Sequence, residues 1–500
     1  MTSAPVHDAL PHGVLDVEAR MGRWSSRRLV TRVVIGVSAA YALVVGILAL
    51  LRYEAFASDF DHGIFTQYVW LLGHLHEPFN TINLRTLLGD HVEPGIVLLA
   101  PLGTLGVGGA GILVVQTLAL AATAPLLFLL AREHGAVGWV AAVPALLWCA
   151  SPVVLHPALL DFHPEALVPV LLVGGCLALE RGRTAWFVAA AVVACAMKED
   201  VGLTYAVLGL VLAWEGRRRL GGLLALAAGG YSFLAVYVVL PTFGNASEQE
   251  FGPRFAGGRG DSFLDVVRYS VEHPLTTVQQ TLTLNDLGIL LLLLLTTGGL
   301  CLLAPRWLLL AMPSAALNLF SAYGLQHTID YHYWIVTGGT VALAGAVGAG
   351  RVGALSHRTW LGWSAAAGVA LTLLSLQWSS AIVRQLRVEW PRRADRQAIV
   401  DALPASASVS APMQMLAHVA ERKRVFVLPE PIVAVRIGTT WGVARRAAAT
   451  RELEYAISDA HMRPWGPMNS QEVEQLLERG GFREVLRRGD TALYRKEPGA

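Results

Sequence analysis

The sequence predicts an α-helical protein that crosses a membrane many times and ends in a small α/β domain. Of its 500 residues, 54% are hydrophobic and only 15% are charged, whereas a soluble domain averages roughly 25% charged residues. Apolar runs long enough to cross a bilayer recur from residue 29 onward. After residue 390 the pattern changes to short apolar strands that alternate with amphipathic helices.

The first membrane span is predicted at residues 29–51, "LVTRVVIGVSAAYALVVGILALL". As a helix this run covers about 30 Å, the thickness of a bilayer core. It starts too late and runs too long for a cleaved signal, so it is expected to stay as an anchor. About ten more spans follow, which we place near 110–131, 137–155, 165–180, 184–197, 200–214, 219–241, 287–304, 307–323, 333–350 and 359–380.

The distribution of cationic residues orients these spans. With the N-terminus in the cytoplasm, the inner segments carry twelve Lys or Arg residues and the outer segments up to residue 332 carry six, as the positive-inside rule requires. The predicted protein is therefore a multi-pass plasma-membrane protein. Its parts are a polar cytoplasmic tail (1–28, disordered up to about Gly22), a transmembrane domain (29–383) with outer loops 52–90 and 242–286, and the C-terminal domain (390–500).

One group of arginines disagrees with this orientation. The last span is followed by cationic residues on the predicted outer side, at Arg384, Arg387, Arg392, Arg393 and Arg396. Large C-terminal domains can cross a membrane regardless of nearby charge, so the domain is still predicted to be extracytoplasmic.

The C-terminal domain is predicted from its strand and helix signals. "SVSAP" (408–412) and "RVFVLP" (424–429) are expected strands around a helix near 413–422, and "YAISD" (455–459) is another strand. "SQEVEQLLERGG" (470–481) is a helix with a serine cap and a glycine stop. "FREVLRRGDTALYRK" (482–496) is a hairpin that turns at Gly489-Asp490.

Several function classes are disfavoured. The net charge is +2 and no basic stripe with interleaved aromatics occurs, so we predict no nucleic-acid partner. The four cysteines match neither a zinc nor a disulfide framework and are expected in the apolar core. "GVGGAG" (106–111) has the spacing of a dinucleotide-binding loop but precedes a span instead of a soluble βαβ unit.

Five dense polar motifs lie at predicted membrane boundaries, all on the outer side. They are "SDFDH" (58–62), "GDHVE" (89–93), "DFHPE" (161–165), "KED" (198–200) and "QHTIDYHY" (326–333). Ionisable groups at such depth are costly and tend to mark a path for a substrate or an ion. The motifs therefore predict one outward-facing cavity, and the alternative is that they are ordinary solvated loop ends.

The two acids of the first motif, Asp59 and Asp61, are both catalytic candidates. Residues two apart on a helix diverge by about 200°, so one carboxylate can face a cavity while the other caps the following helix. A carboxylate in the cavity could accept a proton from a hydroxyl group of an acceptor.

The remaining motifs allow a metal site or a phosphate contact. Asp90, His91, Asp161 and His163 could bind a divalent cation through oxygen and imidazole ligands, or they could form a hydrogen-bonded structural network. Lys198 could pair with its neighbours Glu199 and Asp200, or it could face a phosphate. The histidines and tyrosines of the last motif could line the same cavity or anchor the chain at the interface; they are His327, Tyr331, His332 and Tyr333.

In order, "FDHGIFTQYVW", "DHVEP", "DFHPEAL", "KED" and "YHYW" resemble a family of bacterial and archaeal polytopic membrane proteins of unknown function, over about residues 45–460. In that family the first motif more commonly reads F-D-x-G-x-x-D-Q-x-x-W. Asp61 and Gln67 fit it, whereas Thr66 stands where a second acid often stands. The family in turn looks like the type C glycosyltransferases, multi-span enzymes that use lipid-phosphate-linked sugars. They carry an acid in the first extracytoplasmic loop and often have a C-terminal extracytoplasmic domain.

This resemblance implies an inverting transferase at the outer membrane face with a polyprenyl-phosphate-linked sugar as donor. Asp61 would be the general base, and Lys198 and His332 would neutralise the leaving phosphate. The other substrate-binding candidates are Gln67, His91, Glu93, His163, Glu165, Glu199 and Tyr333. Two alternatives stay open: a transporter or flippase for a lipid-linked or polar solute, and a non-catalytic scaffold that presents the C-terminal domain. The sugar, the acceptor, a need for a divalent cation and the oligomeric state are left open.

Overall fold

Helices form the membrane part of the chain, and in a computed structural model each of the eleven predicted apolar segments contains helix. The structure describes residues 12–244, 263–353, 356–434, 443–462 and 464–498. The helices before the C-terminal region are α1 His12–Glu54, α2 Phe60–Gly73, α3 Leu87–Asp90, α4 Ala100–Thr104, α5 Gly108–Glu133, α6 Gly138–Ala150, α7 Pro152–Leu159, α8 Val168–Glu180, α9 Thr184–Cys195, α10 Val201–Trp214, α11 Arg218–Leu234, α12 Leu240–Phe243, α13 Phe263–Glu272, α14 Pro274–Thr281, α15 Leu284–Leu295, α16 Pro305–Leu308, α17 Met312–Leu319, α18 Ile335–Ala349 and α19 His357–Glu389.

Short turns of tighter or wider helix join these elements. The 3₁₀ turns are Pro94–Leu99, Pro164–Leu167, Leu300–Leu303, Leu309–Ala311, Gly324–His327, His332–Trp334, Trp390–Arg392 and Met413–Met415, and one π-helical turn covers Ala235–Val239. Two of them, Pro94–Leu99 and Pro164–Leu167, begin with proline, which is well suited to the first turn of a helix because its missing N–H would have no intrahelical partner there.

Within the described residues, five helical stretches are long and apolar enough to cross a membrane. They are Arg28–Glu54, Gly108–Glu133, Gly138–Leu159, Arg218–Phe243 and His357–Asp401. Four shorter apolar helices accompany them, at Pro94–Thr104, Thr184–Cys195, Val201–Trp214 and Leu284–Leu295. The predicted class, a polytopic helical membrane protein, is confirmed, while the number of segments that cross the bilayer stays a prediction.

The first span, in α1, has one side buried in the protein and another side that exposes apolar residues. Val30, Val34, Tyr41 and Val45 are buried and lie on one side of α1, which packs against α5 and α6 because the i, i+4 spacing places such residues on one stripe. The other side exposes large apolar side chains, such as Leu43. An exposed apolar face on a helix of this length fits contact with lipid.

The centre of the bundle is α18, whose fifteen residues are all buried. Its sequence, "IVTGGTVALAGAVGA", contains mostly small residues, so neighbouring helices can approach its backbone closely. A Cβ atom at Gly345, for example, would lie 2.6 Å from Cγ2 of Thr297. A larger residue there would push the neighbouring segment away from the centre.

The C-terminal region contains a five-stranded sheet of order β4-β3-β5-β7-β6. β3 is parallel to both neighbours, whereas β7 is antiparallel to β5 and β6. Its strands are β3 Val409–Ala411, β4 Val425–Val427, β5 Tyr455–Asp459, β6 Phe482–Arg488 and β7 Thr491–Lys496, and its helices are α20 Arg393–Asp401, α21 Leu416–Val419, α22 Val443–Glu452 and α23 Ser470–Arg479. A second sheet in the first loop pairs β1 (Phe79–Asn80) with β2 (Arg85–Thr86). The predicted α/β class of this region is therefore confirmed.

Two local predictions are wrong. The cap of α23 is Asn469, which forms a reciprocal capping box with Glu472, and Ser470 is already the first helical residue. The N-terminal tail is not disordered up to Gly22, because α1 already begins at His12; extending an existing helix costs far less than starting one. Residues 1–11 lie outside the described residues.

The C-terminal region packs directly on the first loop. Gln67 donates to the carbonyl oxygens of Arg422 and Lys423 at 3.2 and 3.3 Å, and the Thr81 hydroxyl bonds both the N–H and the C=O of Val425. We call this contact the C-terminal seam, formed by Gln67, Thr81, His418 and Glu421 with their partners. One apolar core runs through it, so the C-terminal sheet and the first loop lie on the same face of the helical bundle.

Two further contacts stabilise the C-terminal seam. The His418 ring stacks between Tyr53 and Phe56, at centroid distances of 4.1 and 3.8 Å. Glu421 accepts a hydrogen bond from the Gly108 N–H at the start of α5, where the helix dipole favours a negative group. "GVGGAG" is thus the start of a membrane helix that is capped by a carboxylate.

Candidate functional site

The five polar motifs meet at one end of the bundle, although they come from five separate connections of the chain. We define the polar cluster as Asp61, His163, His332, Glu165 and Lys198, which contact one another in that order. A second group, His91 with Glu199, lies beside Lys198. The predicted convergence of these motifs is therefore present in the structure.

The two acids of the first motif have different positions. Asp59 is the N-cap of α2 and accepts a hydrogen bond from the Phe60 N–H at 2.9 Å. Asp61, in the first turn, instead receives a hydrogen bond from His163 Nε2 at 3.3 Å. One carboxylate caps the helix and the other joins the polar cluster, which is the division that their spacing allows.

Two stacked histidines connect Asp61 to the deeper part of the cluster. The rings of His163 and His332 lie 3.5 Å apart, with an angle of 20° between their planes. His332 Nε2 is 3.7 Å from Glu165 Oε1, and the same oxygen forms an ion pair with Lys198. Lys198 thus pairs with a residue from another connection of the chain, not with its sequence neighbours as the simpler reading of "KED" suggested.

Exposure falls from one end of the cluster to the other. The Asp61 side chain is 48% exposed, whereas those of Lys198 and Glu165 are 13% and 5% exposed. Asp61 is therefore the group that an approaching molecule can reach most easily. The buried groups behind it can act on that molecule mainly through charge and through Asp61.

The charges of the stacked pair are set by their neighbours. Burial lowers the pKa of His163, but the hydrogen bond and charge of Asp61 outweigh it, and the pKa lies above its ordinary value. Burial, together with the charges of His163 and Lys198, holds the pKa of His332 far below its usual range. Of the two rings, His163 therefore binds a proton more readily, and the repulsion between like charges disfavours a second proton on His332.

Asp61 is ionised in this arrangement. Burial raises its pKa, but the hydrogen bond and the charge of His163 outweigh that effect, so the pKa lies below its ordinary value. For Asp59, burial and the nearby Asp161 carboxylate raise the pKa to about 6. The two acids of one motif therefore differ in pKa as well as in position.

Some buried polar atoms of the site have no hydrogen-bond partner within the described part of the chain. They include Glu165 Oε2, His332 Nδ1 and Asp200 Oδ1. Unpaired polar atoms are expensive in a protein interior, so a site that contains three of them is suited to a ligand or to water that supplies the missing bonds.

The second group ties the "GDHVE" and "KED" motifs together. His91 Nδ1 donates to Glu199 Oε1 at 2.8 Å, and the Val92 N–H donates to Glu199 Oε2 at 3.0 Å. Glu93 is buried beside them, and burial raises its pKa well above the ordinary value. These three predicted site residues therefore adjoin the polar cluster through Lys198, whose positive charge acts on each of them.

Two predicted binding residues lie away from the cluster or at its edge. Gln67 is fully buried in the C-terminal seam, and its amide is occupied by Thr81 and by backbone carbonyl groups. The structure thus places Gln67 in the C-terminal seam, and its role as a substrate contact stays a prediction. Tyr333 packs against the ring of His332 at 4.2 Å and lies at the edge of the cluster.

The four metal candidates do not form one set of ligands. Asp90 is bound by Asn83 and Arg85, His91 by Glu199, and His163 by Asp61, while the Asp161 carboxylate accepts backbone hydrogen bonds. Within the residues that the structure describes, no group of three or more His, Cys, Asp or Glu side chains is arranged to hold a metal ion. The geometry at these four residues thus corresponds to the hydrogen-bonded network that the sequence left as the alternative.

Sequence reasoning did not single out two residues that support the site. Arg52, buried at the end of α1, donates to the carbonyl oxygens of Leu159, Leu160 and Ala57. Gln116 on α5 donates to the carbonyl oxygens of Pro157 and Asp161. For Gln116 the available signal was its position inside the predicted span 110–131, because polar residues there are costly unless they bind a partner. Arg52 directly follows the predicted span 29–51.

Taken together, the helical bundle, its polar end and the C-terminal sheet define a polytopic helical membrane protein with a C-terminal α/β region. Residues 52–479 match the family described as "Predicted membrane protein (DUF2079)", and the chain belongs to that family. No curated protein matches the sequence.

Among solved structures, the chain is similar to ArnT from Cupriavidus metallidurans bound to undecaprenyl phosphate. The two are 13% identical with a TM-score of 0.50, over 92% of this chain and 98% of that one. ArnT in the apo state aligns with a TM-score of 0.47 at 13% identity, over 92% and 99% of the two chains. The oligosaccharyltransferase of Archaeoglobus fulgidus in the apo form aligns with a TM-score of 0.40 at 12% identity, over 88% and 72%. At 13% identity the likeness to ArnT bound to undecaprenyl phosphate shows a shared fold, and it says nothing about activity.

Proposed function

We propose that this protein is a membrane glycosyltransferase that uses a polyprenyl-phosphate-linked sugar as donor at the face that carries the polar cluster. The observation that carries the proposal is the cluster itself, with one ionised and accessible carboxylate, Asp61, in front of buried charged groups. The undecaprenyl phosphate bound in the structure of ArnT, a protein of the same fold, supports a polyprenyl phosphate as the lipid part of the donor.

In the proposed reaction, an acceptor hydroxyl attacks the anomeric carbon of the donor sugar. A new C–O bond forms to the acceptor, the C–O bond to the phosphate breaks, and polyprenyl phosphate leaves. The hydroxyl proton passes to Asp61. A carboxylate with a low pKa suffices for this step, because the hydroxyl becomes acidic only as its bond to the anomeric carbon forms.

Lys198 would meet the charge that develops on the leaving phosphate. Its ammonium group has three N–H donors, so it can keep the Glu165 ion pair and still donate to a phosphate oxygen. His332 is assigned a different role from neutralising the phosphate, which was the role that the resemblance implied. Because it is neutral, it would act as a hydrogen-bonding group, not as a cation.

The test is transfer from a panel of synthetic undecaprenyl-phosphate-linked hexoses and pentoses by the purified full chain in proteoliposomes. The acceptor is a cell-envelope extract, and released undecaprenyl phosphate is measured by mass spectrometry. We expect Asp61→Asn to lower the rate by roughly 10²- to 10⁴-fold, the usual contribution of a general base. Asp59→Asn, two residues away, is the matched control and is expected to keep most of the activity, because an Asn side chain caps a helix about as well as Asp does.

Three results would contradict the proposal in different ways. Full activity in Asp61→Asn would remove Asp61 as the base. Equal losses in both variants would indicate damage to α2 instead of lost proton transfer. Movement of the intact lipid-linked sugar across the bilayer, without release of undecaprenyl phosphate, would favour the transporter alternative.

A further inference from the structure

The start of α2 is held by a residue from another part of the chain. The Asp161 carboxylate accepts hydrogen bonds from the backbone N–H of Asp59, at 3.1 and 3.2 Å, and of His62, at 3.3 Å. Asp59 is the N-cap of α2 and His62 is the third residue of the helix. These are the two N–H groups that a capping box satisfies with side chains of the helix itself.

The local side chains that could form such a box are engaged elsewhere. The Asp59 carboxylate accepts from the Phe60 N–H. His62, at the position where a box has Glu or Gln, places its ring between the Ser58 hydroxyl at 2.9 Å and the Gly109 carbonyl oxygen at 2.8 Å. Asp161, about one hundred residues further along the chain, therefore supplies both halves of the box.

The backbone around Asp161 is held by a hydrogen-bonded frame, which Gln116 forms with Asp161 and His163. Gln116, which is fully buried, donates to the Asp161 carbonyl oxygen at 3.1 Å and accepts from the His163 N–H at 2.9 Å. The same frame thus fixes both partners of the Asp61–His163 hydrogen bond. Asp161 holds the turn that carries Asp61, and Gln116 holds the backbone that carries His163.

We propose that Asp161 is a positioning residue, which caps the first turn of α2 and so sets the Asp61 carboxylate beside His163. The role given to Asp61 rests on the proposed function, whereas the capping does not. Asp161 was a metal candidate in the sequence, and this proposal gives its carboxylate a different use.

The experiment compares the wild type with Asp161→Ala, which removes both acceptor oxygens, with both proteins full-length and in proteoliposomes. Hydrogen–deuterium exchange of the segment 58–63 is expected to become roughly 5- to 30-fold faster, the factor that corresponds to loss of a helix cap. In the transfer assay, kcat is expected to fall on the order of 10²-fold because the base is displaced. KM is expected to change little, because Asp161 does not touch the donor.

Two further variants separate positioning from general damage. Asn469→Ala removes the cap of α23 in the C-terminal sheet region, so it should speed exchange there and leave kcat unchanged. Asp161→Glu keeps a carboxylate at the capping position and should recover part of the protection and part of kcat. Recovery in Asp161→Glu without loss in Asn469→Ala would support the proposal.

Unchanged exchange at 58–63 in Asp161→Ala would overturn the capping. Faster exchange with an unchanged kcat would overturn the positioning. If Asp161→Ala does not fold, single-residue exchange in the wild type decides the matter: amides of Asp59 and His62 that exchange as fast as open chain would refute the cap. A wild type without transfer activity would refute the proposed function, while the exchange data would still test the cap.

Discussion

The polar cluster and the C-terminal seam are both buried polar regions at the same end of the molecule, but they are built differently. In the seam, the Gln67 amide and the Thr81 hydroxyl are neutral groups that bind backbone atoms within 3.3 Å. In the cluster, Glu165 and Lys198 carry charge, and Glu165 Oε2 has no partner among the described residues.

This difference distinguishes polar residues that stabilise the fold from polar residues that are suited to binding a ligand. A neutral hydrogen bond to the backbone satisfies both partners and contributes modestly to stability. Buried charges cost several kcal/mol to desolvate, by rough accounting, and are retained where they serve binding or chemistry. The comparison assigns the seam to the fold and the cluster to the function.

The largest expected effect is that of Glu165→Gln, which removes a charged group from the polar cluster. It leaves Lys198 buried without its carboxylate partner, a change that costs about 3–5 kcal/mol in other buried pairs. The free energy of unfolding in mixed micelles should fall accordingly. The double variant Glu165→Gln/Lys198→Gln should recover part of the loss, and a double variant no more stable than the single one would show that the pair is not coupled.

A smaller effect is expected for Gln67→Ala, which removes a neutral hydrogen-bonding group from the C-terminal seam. The Thr81 N–H and two carbonyl groups would lose their partner, which should lower the free energy of unfolding by about 1–3 kcal/mol. Transfer activity per folded molecule should be unchanged, because Gln67 does not reach the cluster. A selective loss of activity with full stability would restore Gln67 as a binding residue.

The smallest expected effect is the pH dependence of stability that arises from the His91–Glu199 pair beside the polar cluster. Burial lowers the pKa of His91, but the charge of Glu199 outweighs it and raises the pKa from its ordinary 6.5 to about 9. A raised folded-state pKa contributes stability that is fully present below pH 6.5 and is lost as the pH rises through 9. Because the imidazole is a quarter exposed, screening should limit the loss to about 1 kcal/mol.

The check is the denaturation midpoint of the solubilised protein between pH 6 and pH 10. The wild type should lose stability over the upper part of this range, and His91→Gln should show a flatter profile there. A wild-type profile that rises with pH would contradict the sign of the His91–Glu199 interaction.

Much of the fold could be predicted from local patterns. Each of the eleven apolar runs marked a segment that contains helix, and period-two strands with a Gly489-Asp490 turn marked the C-terminal hairpin. The strands "SVSAP", "RVFVLP" and "YAISD" were found for the same reason. Where the local signals were ambiguous, as with Asn469 and Ser470, the prediction missed the cap by one residue.

The candidate site was predicted less completely. Sequence spacing allowed one of Asp59 and Asp61 to cap a helix and the other to face a cavity, but could not say which. That choice depends on His163, about one hundred residues away, and on Asp161, which already caps the helix. The position of Gln67 in the seam could not be predicted, because its partners include Arg422 and Lys423, which no local pattern connects to it.

By itself the sequence determined that this is a multi-span helical membrane protein with a C-terminal sheet and polar motifs at one end of its helices. Hydrophobic length and periodicity are local properties, so they can be read without knowing which segments meet. Only the tertiary structure decided that Lys198 pairs with Glu165, that His163 stacks on His332 and that Gln67 belongs to the seam. The physical reason is that the charge and function of a buried polar group depend on its neighbours, and here those neighbours come from distant parts of the chain.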